Sequence, residues 1–287
     1  MDALVSFDGN AFGDGAVLGC DFVGVVEETG PNVTGITKGT VVAGLIWGGE
    51  TKGLGGYSEY TLADSRICFP VPPGLSLAEA ATVPLASTTA LLSLFSGGCL
   101  AIDTSAAENT PVLIWGGSSS VGLYAIQIAK LHGLEVITTC SPKHHDLVKS
   151  YGAKGAFYRD PEVVGKIRNT SSGNAAKAIG HSNGVLCTVR PGKANTEDVP
   201  KNVKVTDVLV WTAFLKEHRY GTFYWPPNEG DRKLTAEWFQ KLPELLPSGV
   251  IKPNTPKVCE RGLDGVSEGF QEYRDGAISN YKIVYKL

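Results

Sequence analysis

Apolar positions in the first third of the chain fall in short runs separated by glycine. Phe22-Val23-Gly24-Val25-Val26, Thr40-Val41-Val42-Ala43-Gly44 and Tyr57-Ser58-Glu59-Tyr60-Thr61 are rich in β-branched and aromatic residues and bounded by turn residues. Residues 32–39 form a polar turn between the first two. Strands this short, with no helical periodicity between them, predict an all-β block, a small barrel. Ser76 followed three residues later by Glu79 is a capping-box pattern, so a helix is expected over 77–81. Pro84 is expected to interrupt it, because a proline ring clashes with the preceding turn. Helical periodicity resumes over 88–95, and residues 102–110 read as a polar linker.

The pattern changes at Pro111. Val112-Leu113-Ile114-Trp115 is a continuous apolar run, as in a parallel strand buried on both faces. A turn of glycine and serine follows, then residues 121–131, apolar on nearly every side, as expected of a buried helix ended by Gly133. A second strand is expected over 135–140, a helix over 142–150 and a third strand over 156–158. That is βαβαβ within about 45 residues, the mononucleotide-binding half of a doubly wound fold. Farther on, the pattern predicts a helix over 161–169, a strand over 185–189 and an apolar stretch over 203–214. It also predicts an amphipathic helix over 234–246, a short helix over 265–273 and a final strand over 281–287.

Composition narrows the function classes. Hydrophobic residues at 43% and charged residues at 19% describe a globular chain rather than a disordered one. Lys plus Arg number 26 and Asp plus Glu 29, a net charge of −3, which argues against a nucleic-acid binder that relies on bulk positive charge. No uninterrupted apolar run reaches the roughly 18 residues that would span a membrane. Residues 1–15 lack a basic segment followed by an apolar one, so no signal peptide is expected. The six cysteines show no zinc-like spacing and read as reduced thiols of a cytoplasmic protein. The 35 glycines imply tight turns and close backbone approaches.

Candidate chemistry concentrates at Gly116-Gly117-Ser118-Ser119-Ser120-Val121-Gly122, between the strand and the helix. A helix N-terminus attracts phosphate through its unpaired N–H groups and its dipole. Gly117, Ser119 and Gly122 occupy the glycine positions of a G-x-G-x-x-G turn, with serine in the middle. Hydroxyls at Ser118, Ser119 and Ser120 are candidates to replace contacts that the middle glycine would allow. An NAD site places an acid about 20 residues farther on, at the ribose diol. Ser141-Pro142-Lys143-His144 stands there instead, a cationic, hydroxyl-bearing segment suited to a 2′-phosphate, and NADPH is the expected cofactor.

Several segments together resemble the medium-chain dehydrogenase/reductase superfamily. They are Gly19-Cys20-Asp21-Phe22-Val23-Gly24-Val25-Val26, Gly55-Gly56-Tyr57-Ser58-Glu59-Tyr60, Ala80-Ala81-Thr82-Val83-Pro84, Thr88-Thr89-Ala90, the glycine-serine turn, Ser141-Pro142-Lys143, and the stretch from Gly269 through Val284. They occur in that superfamily's order and are most similar to the fungal trans-acting enoyl reductases of polyketide and toxin biosynthesis. The resemblance implies an α/β fold, a Rossmann-type doubly wound parallel sheet plus a GroES-like β-barrel catalytic domain. It implies a catalytic domain from residues 1–100 and 247–287 and an NADP-binding domain from 101–246. Position by position, Gly117, Ser118, Ser119, Ser120, Val121 and Gly122 would hold the pyrophosphate. Ser141, Pro142, Lys143 and His144 would hold the 2′-phosphate, Tyr158 would lie beside the adenosine, Thr89 would act near the nicotinamide, and Ser279 and Asn280 would touch the cofactor from the other side. Zinc-dependent members carry Gly-His-Glu where this chain has Gly19-Cys20-Asp21, so no metal is expected.

The implied activity is NADPH-dependent reduction of an activated C=C bond on a carrier-bound polyketide acyl thioester. The implied partner is a polyketide synthase, with no nucleic acid or membrane partner, and the protein would be a monomer or homodimer. The aromatic segment Trp211, Phe214, Tyr220, Phe223, Tyr224 and Trp225 is a candidate acyl-pocket lining and equally a core or dimer surface. Two departures from the family stand out. Only 18 residues precede Gly19, none of them lysine, and the pattern lacks a strand and helix near residues 174–181. Two other readings therefore remain open: a quinone or enone reductase, and a truncated non-catalytic relative that binds NADPH or a synthase.

Overall fold

The computed structural model of the protein describes residues 12–157, 162–163, 184–189, 192–193, 196–197, 199–220 and 223–287. Tyr158, most of the helix expected over 161–169, and residues 174–181 lie outside them. The chain divides into two compact units, residues 1–85 with 236–287, and residues 86–235.

In the first unit, β1 (Asp21–Val25) pairs antiparallel with β2 (Val41–Leu45), which pairs antiparallel with β3 (Cys68–Pro70). The strand expected over 57–61 does not form. Gly56 and Tyr57 donate their N–H groups to Gly19 and Leu18, each at 2.9 Å. The Ser58 hydroxyl lies 2.8 Å from the carbonyls of both Gly55 and Tyr60, which bends the segment. Residues 68–70 supply the third strand instead. Helix α1 (Leu77–Ala80) has the expected capping box: Ser76 Oγ accepts from Glu79 N–H at 3.2 Å, and Glu79 Oε2 accepts from Ser76 N–H at 3.1 Å.

Pro84 starts a helix rather than interrupting one. Helix α2 (Pro84–Phe95) has proline at its first position, where the missing N–H would lack an intrahelical partner anyway. Asp21 Oδ1 caps it by accepting from Leu85 N–H at 2.6 Å. Taken together, residues 77–95 are long and apolar enough to cross a membrane, with a mean hydropathy of 1.3. Yet 61% of the window is buried within the protein, as in the core helix of a globular fold.

The second unit has the expected alternation. Strand β4 (Pro111–Trp115), helix α3 (Ser120–Leu131), β5 (Glu135–Thr139), helix α4 (His145–Ser150) and β6 (Gly155–Phe157) follow in order. The three strands form one parallel sheet ordered β4-β5-β6. Helix α3 buries Tyr124, Ile126 and Ile128 completely, which explains an apolar pattern wider than one face. Ile137 in the middle of β5 is fully buried, with Leu113 and Val163 against it. Strands β7 (Val185–Thr188) and β8 (Lys204–Asp207) pair parallel in a second, two-stranded sheet. Among the described residues no ladder joins it to β4-β5-β6. The apolar stretch over 203–214 thus splits into β8 and a 3₁₀ turn, Val210–Phe214. Strands β9 (His218–Tyr220) and β10 (Phe223–Trp225) make a hairpin with the Arg219 guanidinium 4.5 Å from the Tyr224 ring centre.

Helix α5 (Glu229–Leu245) starts earlier than its apolar period. Its first turn is acidic, with Glu229 and Asp231, and carries no hydrophobic signal. Asn228 Oδ1 caps it by accepting from Asp231 N–H at 3.0 Å. Within the first unit, Phe239 of this helix meets Phe69 edge-on at 5.9 Å. Strand β11 (Pro256–Cys259), unseen in the pattern, pairs parallel with β12 (Lys282–Tyr285), and helix α6 (Val266–Arg274) lies between them in sequence.

Candidate functional site

The turn after β4 is built so that only glycine fits at two places. A Cβ on Gly117 would stand 2.0 Å from Thr138 Oγ1, and one on Gly122 would stand 2.3 Å from the Gly116 carbonyl oxygen. Gly117 is therefore pressed against β5, and Gly122 lets the first turn of α3 close on the turn itself. Two hydrogen bonds hold the turn to β5, and a third ties β5 to the end of β4. Gly117 N–H donates to Thr139 O at 2.8 Å, Gly116 N–H to Thr139 Oγ1 at 3.0 Å, and Thr138 Oγ1 to Ile114 O at 2.7 Å.

Ser119 is the N-cap of α3, its Oγ accepting from Gly122 N–H at 3.1 Å. The Ser119 oxygen therefore shapes the helix start, and its hydroxyl hydrogen is left to donate elsewhere. Ser118 precedes the cap, and Ser120 and Val121 open the helix. The N–H groups of a first helical turn have no intrahelical acceptor and point along the helix axis, so the turn presents a positive, donor-rich end beside a strand terminus.

At the end of β5, Cys140 is buried, and Ser141 leads into a 3₁₀ turn, Pro142–His144. The Ser141 hydroxyl makes no capping bond. Pro142 and Lys143 are exposed. Burial, and secondarily the Lys143 ammonium, push the His144 imidazole below its ordinary range. The His144 imidazole is therefore neutral at pH 7. The first acid after the strand is the exposed Asp146, one turn into the following helical segment.

Thr89 is buried within α2, and its carbonyl accepts the Ser93 hydroxyl at 2.7 Å. Ser279 and Asn280 belong to the first unit, just before β12. Asn280 is in the left-handed region at φ 61°, and its Oδ1 is buried with no hydrogen-bond partner among the described residues. Also in the first unit, a cleft of about 1080 Å³ is lined by Cys20, Asp21, Tyr57 and Tyr285 among others. Tyr57 stacks edge-on to Tyr285 at 5.3 Å. Burial first, then Tyr285, Cys20 and Asp21, hold its phenol far above the ordinary range, so it stays a protonated donor at neutral pH. Asp21 also receives the Lys282 ammonium, which lies 3.3 Å from Ala81 O. The triplet that resembles the zinc-ligand position thus spends its carboxylate on a helix cap and an internal ion pair.

Residues 4–73 match the alcohol dehydrogenase GroES-like domain family. The trans-enoyl reductase eqxC of Fusarium heterosporum is 34% identical over 297 residues, covering 95% of this chain and 84% of its own. A trans-enoyl reductase of Gibberella fujikuroi is 35% identical over 297 residues with the same coverage. The chain belongs to the trans-enoyl reductase family. It is an oxidoreductase of the medium-chain dehydrogenase/reductase superfamily. Solved structures show the same fold. The CurK enoyl reductase gives a TM-score of 0.65 at 18% identity, covering 92% of this chain and 78% of that one. A mycobacterial protein solved with NADPH gives 0.65 at 20% identity, covering 92% and 81%.

For this trans-enoyl reductase, the sequence located the glycine turn and the segment after β5. It did not single out Tyr57 or Lys282. Tyr57 entered only as part of the Gly55–Tyr60 segment, where a Cβ on Gly56 would stand 2.6 Å from Asp21 O. Lys282 carried no signal, because its partner Asp21 is remote in sequence.

Proposed function

We propose that this trans-enoyl reductase binds NADPH at the turn from Gly117 to Gly122 and reduces an α,β-unsaturated polyketide acyl thioester presented by a synthase. The observation that carries the proposal is the turn itself, whose two obligatory glycines bring backbone N–H groups and a helix N-terminus to one place. Ser118, Ser119, Ser120 and Val121 supply the pyrophosphate contacts. Ser141 and Lys143 fit a 2′-phosphate, with His144 as a neutral donor beside them. Pro142 sets the turn that presents Lys143. The dinucleotide would supply the hydride for the β-carbon of the enoyl group. Thr89, Ser279 and Asn280 orient the nicotinamide end in this proposal. The unpartnered Asn280 Oδ1 suits an amide donor. Tyr158 is assigned to the adenosine side. Residues 101–246 then form the nucleotide-binding domain, and 1–100 with 247–287 the catalytic domain.

Titration with NADPH and, separately, NADH tests this, read by tryptophan fluorescence and melting temperature. The expected result is saturable binding with NADPH preferred. Lys143→Ala removes one charge-assisted hydrogen bond of about 1.5–3 kcal/mol, so NADPH affinity falls about tenfold or more while NADH affinity is unchanged. Equal affinities for the two nucleotides, or equal losses in the variant, would overturn the 2′-phosphate assignment. Turnover of an enoyl thioester but not of a free quinone separates the proposed substrate class from a quinone reductase.

A further inference from the structure

The six cysteines are all free thiols, and two of them meet inside the second unit. Cys99 is 4% exposed in a cluster with Leu92 and Val208, and Cys187 packs against the same cluster. Cys187 Sγ lies 3.7 Å from the Thr188 carbonyl oxygen. Strand β8 holds both in place. Cys99 Sγ lies 3.6 Å from the Asp207 carbonyl oxygen, and Cys187 on β7 stands opposite Thr206, the residue before Asp207.

We propose that Cys187 and Cys99 form a peroxide-oxidisable dithiol, a modification site separate from the nucleotide turn. Cys187 is the half-buried member and therefore the one a small oxidant meets first. The neighbouring Cys99 thiol holds the Cys187 thiol below the ordinary range, against the opposing effect of burial. The neighbouring Cys187 sulfur, together with burial, holds Cys99 well above that range. The pair thus divides into an attacking thiolate and a resolving thiol. The remaining cysteines are not paired in this way: Cys68 and Cys140 are buried, and burial raises the Cys140 thiol. Cys20 and Cys259 belong to the other unit.

The chemistry balances with hydrogen peroxide as the oxidant. The Cys187 thiolate attacks one peroxide oxygen, the O–O bond breaks, and the departing hydroxide takes a proton to leave as water. Cys187 is left as a sulfenic acid. The Cys99 sulfur, on losing its proton, attacks the Cys187 sulfur, the S–O bond breaks, and the hydroxide leaves as a second water. Two thiols lose two electrons, and the peroxide gains them. A small dithiol reductant reverses the bond by exchange.

The test uses the full chain, treated with hydrogen peroxide near stoichiometry, alkylated, digested and mapped by mass spectrometry. The expected product is one crosslink between the peptides carrying Cys99 and Cys187, with two of the six cysteines losing reactivity in denaturant and dithiothreitol restoring both. In Cys99→Ala, the Cys187 sulfenic acid persists and is trapped by dimedone, whereas wild type gives little adduct. In Cys187→Ser, Cys99 oxidation slows. The proposal is overturned if Cys99 and Cys187 stay reduced while other cysteines oxidise, or if dimedone labels Cys187 equally with and without Cys99. If Cys99→Ala fails to fold, the wild-type crosslink map alone decides. None of these readouts depends on NADPH binding, so failure here leaves the cofactor proposal standing.

Discussion

Adding a single methyl group at Gly122 tests whether the glycine turn after β4 depends on backbone contact. The new Cβ would sit 2.3 Å from Gly116 O and 2.8 Å from Gly117 Cα, whereas ordinary contact starts at 3.4 Å. Both atoms are backbone, so the first turn of the helix must retreat by about 1 Å. Overpacking of this kind costs about 1–3 kcal/mol. The helix propensity of alanine over glycine returns about 1 kcal/mol. Because no side chain can move aside, the upper end applies and Gly122→Ala should lose about 2 kcal/mol net. At roughly 2–4 °C per kcal/mol for a chain of this size, the melting temperature falls by about 4–8 °C.

Gly117→Ala meets a side chain instead, Thr138 Oγ1 at 2.0 Å, held by its bond to Ile114 O. Truncating that side chain relieves the clash, so Thr138→Ala should rescue Gly117→Ala with a coupling of about 1–2 kcal/mol and should not rescue Gly122→Ala. Gly97, exposed and with nothing within 4 Å of its Cβ position, is the control. Urea unfolding followed by tryptophan fluorescence gives each stability, and NADPH titration gives the effect on binding. If Gly122→Ala is as stable as Gly97→Ala, or if Thr138→Ala rescues both glycine variants alike, the close-contact argument is wrong.

Lys282→Met leaves the Asp21 carboxylate, whose side chain is only 9% exposed, without its cation and should destabilise by about 3 kcal/mol. Asp21→Asn keeps an acceptor for Leu85 N–H and should lose less; equal thermal shifts would refute the pairing argument. Ser119→Ala removes the helix cap and should lower stability by about 1 kcal/mol in urea, with no change taken as disproof. The Lys257 ammonium, at 2.5 Å, and then the Tyr281 hydroxyl hold Glu272 below the usual carboxylate range. A depressed pKa stabilises above the ordinary glutamate value and loses that contribution as pH falls through the depressed one. Wild type and Glu272→Gln should therefore differ most near neutrality and converge in acid, and a gap that widens as pH falls would contradict the assignment.

Local chemistry was legible in the sequence. The capping box at Ser76 and Glu79 depends on residues three apart, and the β4–turn–α3–β5 alternation on periods within a few residues. Glycine spacing located the turn between β4 and α3, because glycines at fixed offsets between a strand and a helix mark a close backbone approach. Where the sequence misled, a distant partner had intervened. Pro84 starts a helix because Asp21, far away in sequence, accepts the next N–H. Residues 57–61 bend instead of pairing because Ser58 bonds its own turn and residues 18–19 take the backbone donors. Strand β11 left no signal because only its ladder with β12 makes it a strand. Period and spacing specify what a segment can be, whereas the tertiary structure decides which backbone groups meet. That decision put Thr138 behind Gly117, Lys282 beside Asp21, and Cys187 against Cys99.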